Sequence, residues 1–155
     1  MRTYLIATLA GLLLSGEAVA AAKPKRCLSP PEIQAEQEVR HGIFLREAAK
    51  RCDEYTKGSR TAWDSFNAQA APRFAKAVDK RLKAWQREFP EDWQRAMITA
   101  DGRLVSYHRY FPLSRAYCES VNDLVQEVAK KGYTAFTKQA KTVQNEVIGD
   151  YKVCR

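Results

Sequence analysis

Two histidines, four cysteines and one periodic run of bases are the residues of this sequence with the most chemical scope. His41 and His108 each stand without a cysteine or a second histidine at ligand spacing, so both read as packed or solvated side chains rather than metal ligands. Glu36, Glu38, Glu47, Asp53 and Glu54 alternate with bases along one segment, a pattern that predicts an exposed face with local ion pairs. A general acid among them would need a partner group and a cleft. The chain has no Gly-rich phosphate loop, no G-x-S-x-G elbow and no H-E-x-x-H pair. No catalytic residue, metal ligand or cofactor is assigned on these grounds.

The run with direction is Arg73, Lys76, Lys80, Lys83 and Arg87, spaced three, four, three and four. At about 100° per residue these bases gather nearly opposite Phe74, Val78, Leu82 and Trp85, which predicts a ridge of one sign facing outward. Asp79 and Glu88 dilute it. A solvated helix face accounts for such a ridge; so does a docking ridge for a polyanion or an acidic protein surface. Tyr107, His108, Arg109, Tyr110 and Phe111 form a second candidate. Aromatic rings interleaved with bases can stack on sugars or bases and hold phosphate, but a connector that packs its rings into the core explains the same residues and is preferred.

The elements that must position these groups lie behind an export signal. Arg2, the apolar run from Leu5 to Leu14, and the small residues Ala18, Val19, Ala20, Ala21 and Ala22 follow the order of a cleavable signal peptide. Cleavage is expected after Ala20, with Ala22 as the alternative. The apolar run is too short for a lasting membrane span. Pro24, Lys25 and Arg26 precede Cys27 where a lipoprotein signal needs small, apolar residues, and no twin arginine is present. The periplasm is the expected compartment. Loss of residues 1–20 removes Arg2 and Glu17 together, so the net charge stays at +8, a balance that favours anionic partners. A nucleic-acid partner is not expected.

Four cysteines in an exported chain, Cys27, Cys52, Cys118 and Cys154, read as two disulfides. None forms a C-x-x-C pair, which disfavours redox catalysis, haem attachment and a four-thiolate zinc site. Ser29, Pro30, Pro31 and Glu32 predict a capped helix start, with the helix running to about Lys57 and stopping at Gly58. Its inner stripe is Ile33, Gln37, His41, Phe44, Ala48, Cys52 and Tyr55. Along such a helix Cys27 and Cys52 lie more than about 30 Å apart and cannot pair. Two connectivities remain, and Cys27–Cys154 with Cys52–Cys118 is preferred because chain ends often lie close together in a domain.

A second helix is expected from Thr61 to Phe89 on the stripe Trp63, Phe66, Ala70, Phe74, Val78, Leu82, Trp85 and Phe89, kinked or broken near Ala71 by Pro72. Pro90 begins a short helix through Ile98. Asp101-Gly102 is a turn signal that leaves open a small hairpin over residues 98–105. Leu113, Tyr117, Val121, Leu124 and Val128 predict a helix ending at Gly132. Phe136, Ala140, Val143, Val147, Tyr151 and Cys154 predict another that reaches the C-terminus. The expected fold is all-α: after a lead-in over residues 21–28, a single domain over residues 29–155 built as a bundle of four long helices and a short one, stapled by two disulfides.

The signal peptide, the early Cys27, the Glu-rich segment Ile33-Gln34-Ala35-Glu36-Gln37-Glu38 leading to Cys52, and the late Cys118 and Cys154 make the chain resemble small periplasmic helical proteins of alphaproteobacteria. That group has no established activity to carry over, so the resemblance bears on fold and location. The leading expectation for function is a non-enzymatic periplasmic binding or structural module for an acidic protein or an anionic envelope polymer. The alternative is a small envelope-active enzyme such as a cell-wall hydrolase, which needs two carboxyl groups about 5 to 9.5 Å apart in a cleft.

Overall fold

A computed structural model describes residues 27–154. The expected export signal, its cleavage site and the lead-in before Cys27 lie outside the described residues. Six helices follow one another: α1 (Pro30–Cys52), α2 (Ser59–Glu88), α3 (Trp93–Tyr110), α4 (Arg115–Lys131), α5 (Tyr133–Val143) and α6 (Val147–Asp150). Among the described residues there is no extended sheet, only a single parallel bridge between Leu28 and Val153. The all-α expectation holds, with one helix more than expected.

α1 begins where the capping box places it, with the Ser29 backbone N–H donating to Glu32 Oε2 at 2.8 Å and prolines in the first turn. It stops at Cys52 rather than near Lys57, because Asp53 Oδ1 accepts the backbone N–H groups of Gly58 at 3.1 Å and Arg60 at 3.0 Å and folds the intervening residues into a turn. Tyr55 therefore leaves the expected stripe and is exposed. Every other helix of the bundle packs on α1. Its expected inner stripe from Ile33 to Cys52 is buried, but so are Glu36, Glu38 and Glu47 on its other faces. The expectation of a solvated acidic face fails at these three positions because neighbouring helices cover most of the circumference of α1, leaving Arg46 and Lys50 outside.

α2 is continuous across Pro72, so of the expected kink or break near Ala71 the break does not occur. A proline costs a helix one donor and crowds one turn, and packing of α2 on α1 and α4 outweighs that local cost. Trp63, Phe66 and Ala70 are buried as expected. Beyond them the inner face passes to Ala77, Arg81, Ala84 and Trp85, while Val78 and Phe89 are exposed. The two alanines let α2 lie close to its neighbours, and periodicity weighted by large apolar residues overlooks such positions.

The hairpin over residues 98–105 is replaced by α3, which carries the expected short helix on from Ile98 to Tyr110. Asp101, half of the turn signal, receives Arg81 on both carboxylate oxygens, at 2.9 and 2.7 Å, so a tertiary contact overrides the local turn preference. α4 is capped by Ser114, which accepts the Tyr117 N–H at 3.2 Å, and ends as expected at Gly132 with φ +72°. α5 closes early at Val143 instead of reaching the C-terminus. The chain turns, forms α6, and runs extended so that Leu28 donates to the Lys152 carbonyl at 2.8 Å and accepts from the Cys154 N–H at 2.9 Å.

The disulfides are Cys27–Cys154 and Cys52–Cys118, the preferred pairing, and neither joins Cys27 to Cys52 along α1. The larger core gathers Phe44, Leu45, Trp63, Phe66, Val121, Val125 and Phe136 around the buried Cys52–Cys118 bridge. A smaller one joins Leu28, Ile33, Ala84 and Val147 beneath the other bridge.

Candidate functional site

Arg73, Lys76, Lys80 and Lys83 are exposed along α2, as the ridge requires. Arg87 is not part of it. Its side chain is only 10% exposed and pairs with Glu32 and Glu88, and it also donates to the Cys27 carbonyl at 3.3 Å. The inner face of α2 has rotated by this point, which carries Arg87 toward the start of α1. The Arg87 guanidinium in turn holds the Glu32 carboxyl down at about 2, against the opposing pull of burial. Lys83 pairs with Asp79 at 2.8 Å on the open surface, an arrangement of small energetic weight.

Arg73, Lys76 and Lys80 border a shallow groove, and Lys83 lies outside it. One half, about 250 Å³, lies between α1 and α2 and is walled by Pro31, Gln34, Glu38, Arg73, Lys76, Lys80 and Tyr133. The other half, about 520 Å³, shares Pro31, Gln34 and Lys80 and continues past Lys141 to Ile148 and Val153. Four cations therefore line these two adjoining depressions. Its walls carry one carboxylate, Glu38, which accepts the Tyr133 hydroxyl at 2.7 Å and the Gln34 amide at 2.8 Å. Burial and this bond to Glu38 push the Tyr133 phenol well above its usual range, so it stays a donor. Arg73 lies 5.9 Å from the centroid of the Tyr133 ring, a cation–π contact that steadies the far end of the groove.

Behind the groove an ionic cluster locks α1, α2 and α3 together. Glu36 accepts from Arg81 at 2.6 and 3.3 Å, from Trp85 Nε1 at 3.1 Å and from Arg40 at 3.1 Å. Burial opposes its ionisation, and the charge and hydrogen bonds of Arg81, with Trp85 and Arg40, override that and hold the carboxyl below the usual range. Arg40 continues the chain of charges to Asp150 at 2.7 Å. Each charge has its partners, so this cluster supports the fold rather than offering a reactive group.

Both histidines are packed, as expected. His41 is fully buried against Phe44 and Phe136, with Nε2 3.1 Å from Gln139 Oε1. Burial depresses it to about 4, the Gln139 bond acting in the other direction, so the ring is neutral at pH 7. His108 lies against Phe44, ring centroids 5.1 Å apart, and burial lowers it as well, against the charge of Glu47. The aromatic connector divides. His108 and Phe111 pack inward, and Arg51 donates to both their carbonyls, whereas Tyr107 and Tyr110 stand exposed. Arg109 reaches back to Glu47 at 3.3 Å. The expected packing thus holds for half of the segment.

Lys141, Tyr133 and Gln34 complete the groove yet have no signal in the sequence, because they come from α5 and α1 and meet the ridge only in the folded chain. Among the described residues, no three His, Cys, Asp or Glu side chains gather as a metal site would require. Compared with protein-family models, with curated proteins and with solved structures, the chain matches none.

Proposed function

We propose that this protein is a non-enzymatic binding module of the periplasm that holds an acidic protein segment or an anionic envelope polymer along the groove beside α2. The observation that carries this reading is the lining: Arg73, Lys76, Lys80 and Lys141 line two adjoining depressions whose single carboxylate is already engaged by Tyr133 and Gln34. A groove of one sign raises the local concentration of an oppositely charged partner, and the net charge of +8 adds to the attraction at longer range. Two disulfides support residence in an oxidising compartment. No described helix is long and apolar enough to cross a membrane. The hydrolase alternative needs a pair of carboxyl groups in one cleft, which this groove, with Glu38 as its one carboxylate, does not supply.

The test compares two triple variants of equal charge. Lys76→Glu, Lys80→Glu and Lys141→Glu change the groove; Lys57→Glu, Lys83→Glu and Lys130→Glu change exposed lysines away from it. The groove variant should elute from an anionic polysaccharide matrix at lower salt than the off-groove variant, with unchanged circular dichroism in both. Identical elution of the two would show that net charge alone governs binding, and would overturn the reading.

A further inference from the structure

A second concavity, separate from the basic groove, opens between the last turns of α2 and the C-terminal segment. It has a volume of about 280 Å³ and is walled by Leu28, Ala84, Trp85, Phe89, Tyr151 and Lys152. A cavity of roughly 150 Å³ already accommodates benzene, so this one has room for one or two fused rings. Three aromatic rings from two distant parts of the chain converge here because the Cys27–Cys154 bridge and the Leu28–Val153 pairing hold the C-terminal segment against α2.

Apart from Lys152, the polar side-chain groups of these walls are already engaged. The Trp85 indole N–H donates to Glu36 at 3.1 Å, and the Tyr151 hydroxyl accepts from Arg40 at 3.5 Å. The two carboxylates at the rim each have a guanidinium, Glu88 with Arg87 at 2.6 Å and Asp150 with Arg40 at 2.7 Å. What faces the cavity is ring surface, with the Phe89 and Trp85 centroids 5.0 Å apart. An organic cation, the usual guest of an aromatic cage, is disfavoured. Arg81 lies 5.4 Å from the Trp85 ring centroid and Arg40 5.7 Å from that of Tyr151, so positive charge is already held against both rings. Lys152 is exposed at the mouth and brings one further positive charge.

We propose that this cavity binds a small planar aromatic carboxylate, its ring among Trp85, Phe89 and Tyr151 and its carboxylate at the Lys152 ammonium. The ring supplies most of the affinity. The lysine supplies the preference for an acid over an uncharged analogue of the same shape. Because Lys152 is exposed, that preference is about two- to fivefold, the range of a solvent-screened ion pair.

The oxidised mature protein is titrated with 2-naphthoate, with the uncharged 2-naphthalenemethanol and with the 2-naphthylmethylammonium cation, following the Leu28 and Ala84 methyl resonances by NMR. Naphthoate should shift both methyls saturably with a Kd of roughly 1 mM or tighter, the alcohol should bind about two- to fivefold more weakly, and the cation more weakly still. Phe89→Ala, at a position already 43% exposed and so tolerant of truncation, should weaken naphthoate about tenfold. Lys152→Met should erase the preference for acid over alcohol and leave alcohol binding intact. Absence of saturable shifts at these methyls up to about 10 mM, unchanged affinity in Phe89→Ala, or an acid preference that survives Lys152→Met would each overturn the assignment. Shifts confined to Lys80 and Lys141 would assign naphthoate to the basic groove instead, and would equally overturn it.

Discussion

The ring of Phe74 fills the space that a side chain on Gly42 would need: a Cβ on Gly42 would meet Phe74 Cζ at 2.8 Å and Cε2 at 3.0 Å. This is where α2 presses an aromatic ring onto the backbone of α1. In an open helix, replacing glycine with alanine gains about 1 kcal/mol. Here the methyl forces the ring away from Phe136, which it meets edge-on at 6.0 Å. Gly42→Ala should therefore lower stability by about 1 to 2 kcal/mol in urea denaturation, and Phe74→Leu in the same chain should recover part of the loss. A Gly42→Ala protein more stable than the native one would contradict the close approach.

Arg81 should prove the most sensitive charged position. Its removal leaves Glu36 buried without its main counter-charge and also frees Asp101. Arg81→Met is expected to cost about 3 to 5 kcal/mol, and adding Glu36→Leu should restore a large share because the orphaned carboxylate is gone. Measured coupling close to zero in the double-mutant cycle would remove the pair from the account of stability.

Acid should destabilise the fold through His41 before the carboxylates titrate. Its ordinary value of 6.5 falls to about 4 in the folded chain, chiefly because burial penalises the charged ring. Between these values the unfolded chain binds the proton and the folded chain does not, so stability rises with pH. The contribution is complete above about 6.5 and is lost as the pH falls toward 4, about 3 kcal/mol across the window. His108 moves in the same direction. Glu32 and Glu36, both held below the usual carboxylate range, lose their contributions only at lower pH. Urea midpoints at pH 7.5 and 5 should differ for the native protein and differ less for His41→Met. An equal difference in both would assign the acid sensitivity elsewhere.

The two disulfides should reduce in order. Cys52 and Cys118 are fully buried in the main core, whereas Cys27 and Cys154 remain partly exposed. A mild reductant with alkylation and peptide mapping should label Cys27 and Cys154 first, with a loss of about 2 to 4 kcal/mol for each bridge opened. Labelling of Cys52 and Cys118 first would mean that the core opens more readily than the chain end. The order also bears on the aromatic cavity, whose C-terminal wall depends on the exposed bridge.

Much of the local structure is legible in residue types and their spacing. Ser29, Glu32 and the prolines mark the start of α1; Gly132 marks the end of α4; four scattered cysteines and the impossibility of a Cys27–Cys52 bridge narrow the disulfides to two pairings. These signals work because caps, turns and covalent reach act over a few residues or through simple distance. Of the candidate site, the bases Arg73, Lys76 and Lys80 could be read in advance because outward spacing on one helix is a local property.

The tertiary structure alone decided which local preferences would prevail. Pro72 lies within an unbroken α2 and Asp101-Gly102 within α3, since packing and the Arg81–Asp101 pair exceed the local cost of each. Arg87 left the ridge to join Glu32, and Glu36, Glu38 and Glu47 were buried because α1 became the central helix. Lys141 and Tyr133 joined the groove from α5, far beyond the ridge in sequence. By itself the sequence determined an all-α chain with two disulfides and an outward row of bases; which charges meet water and which meet each other depended on the energy of burial, a property of the assembled helices and of no single segment.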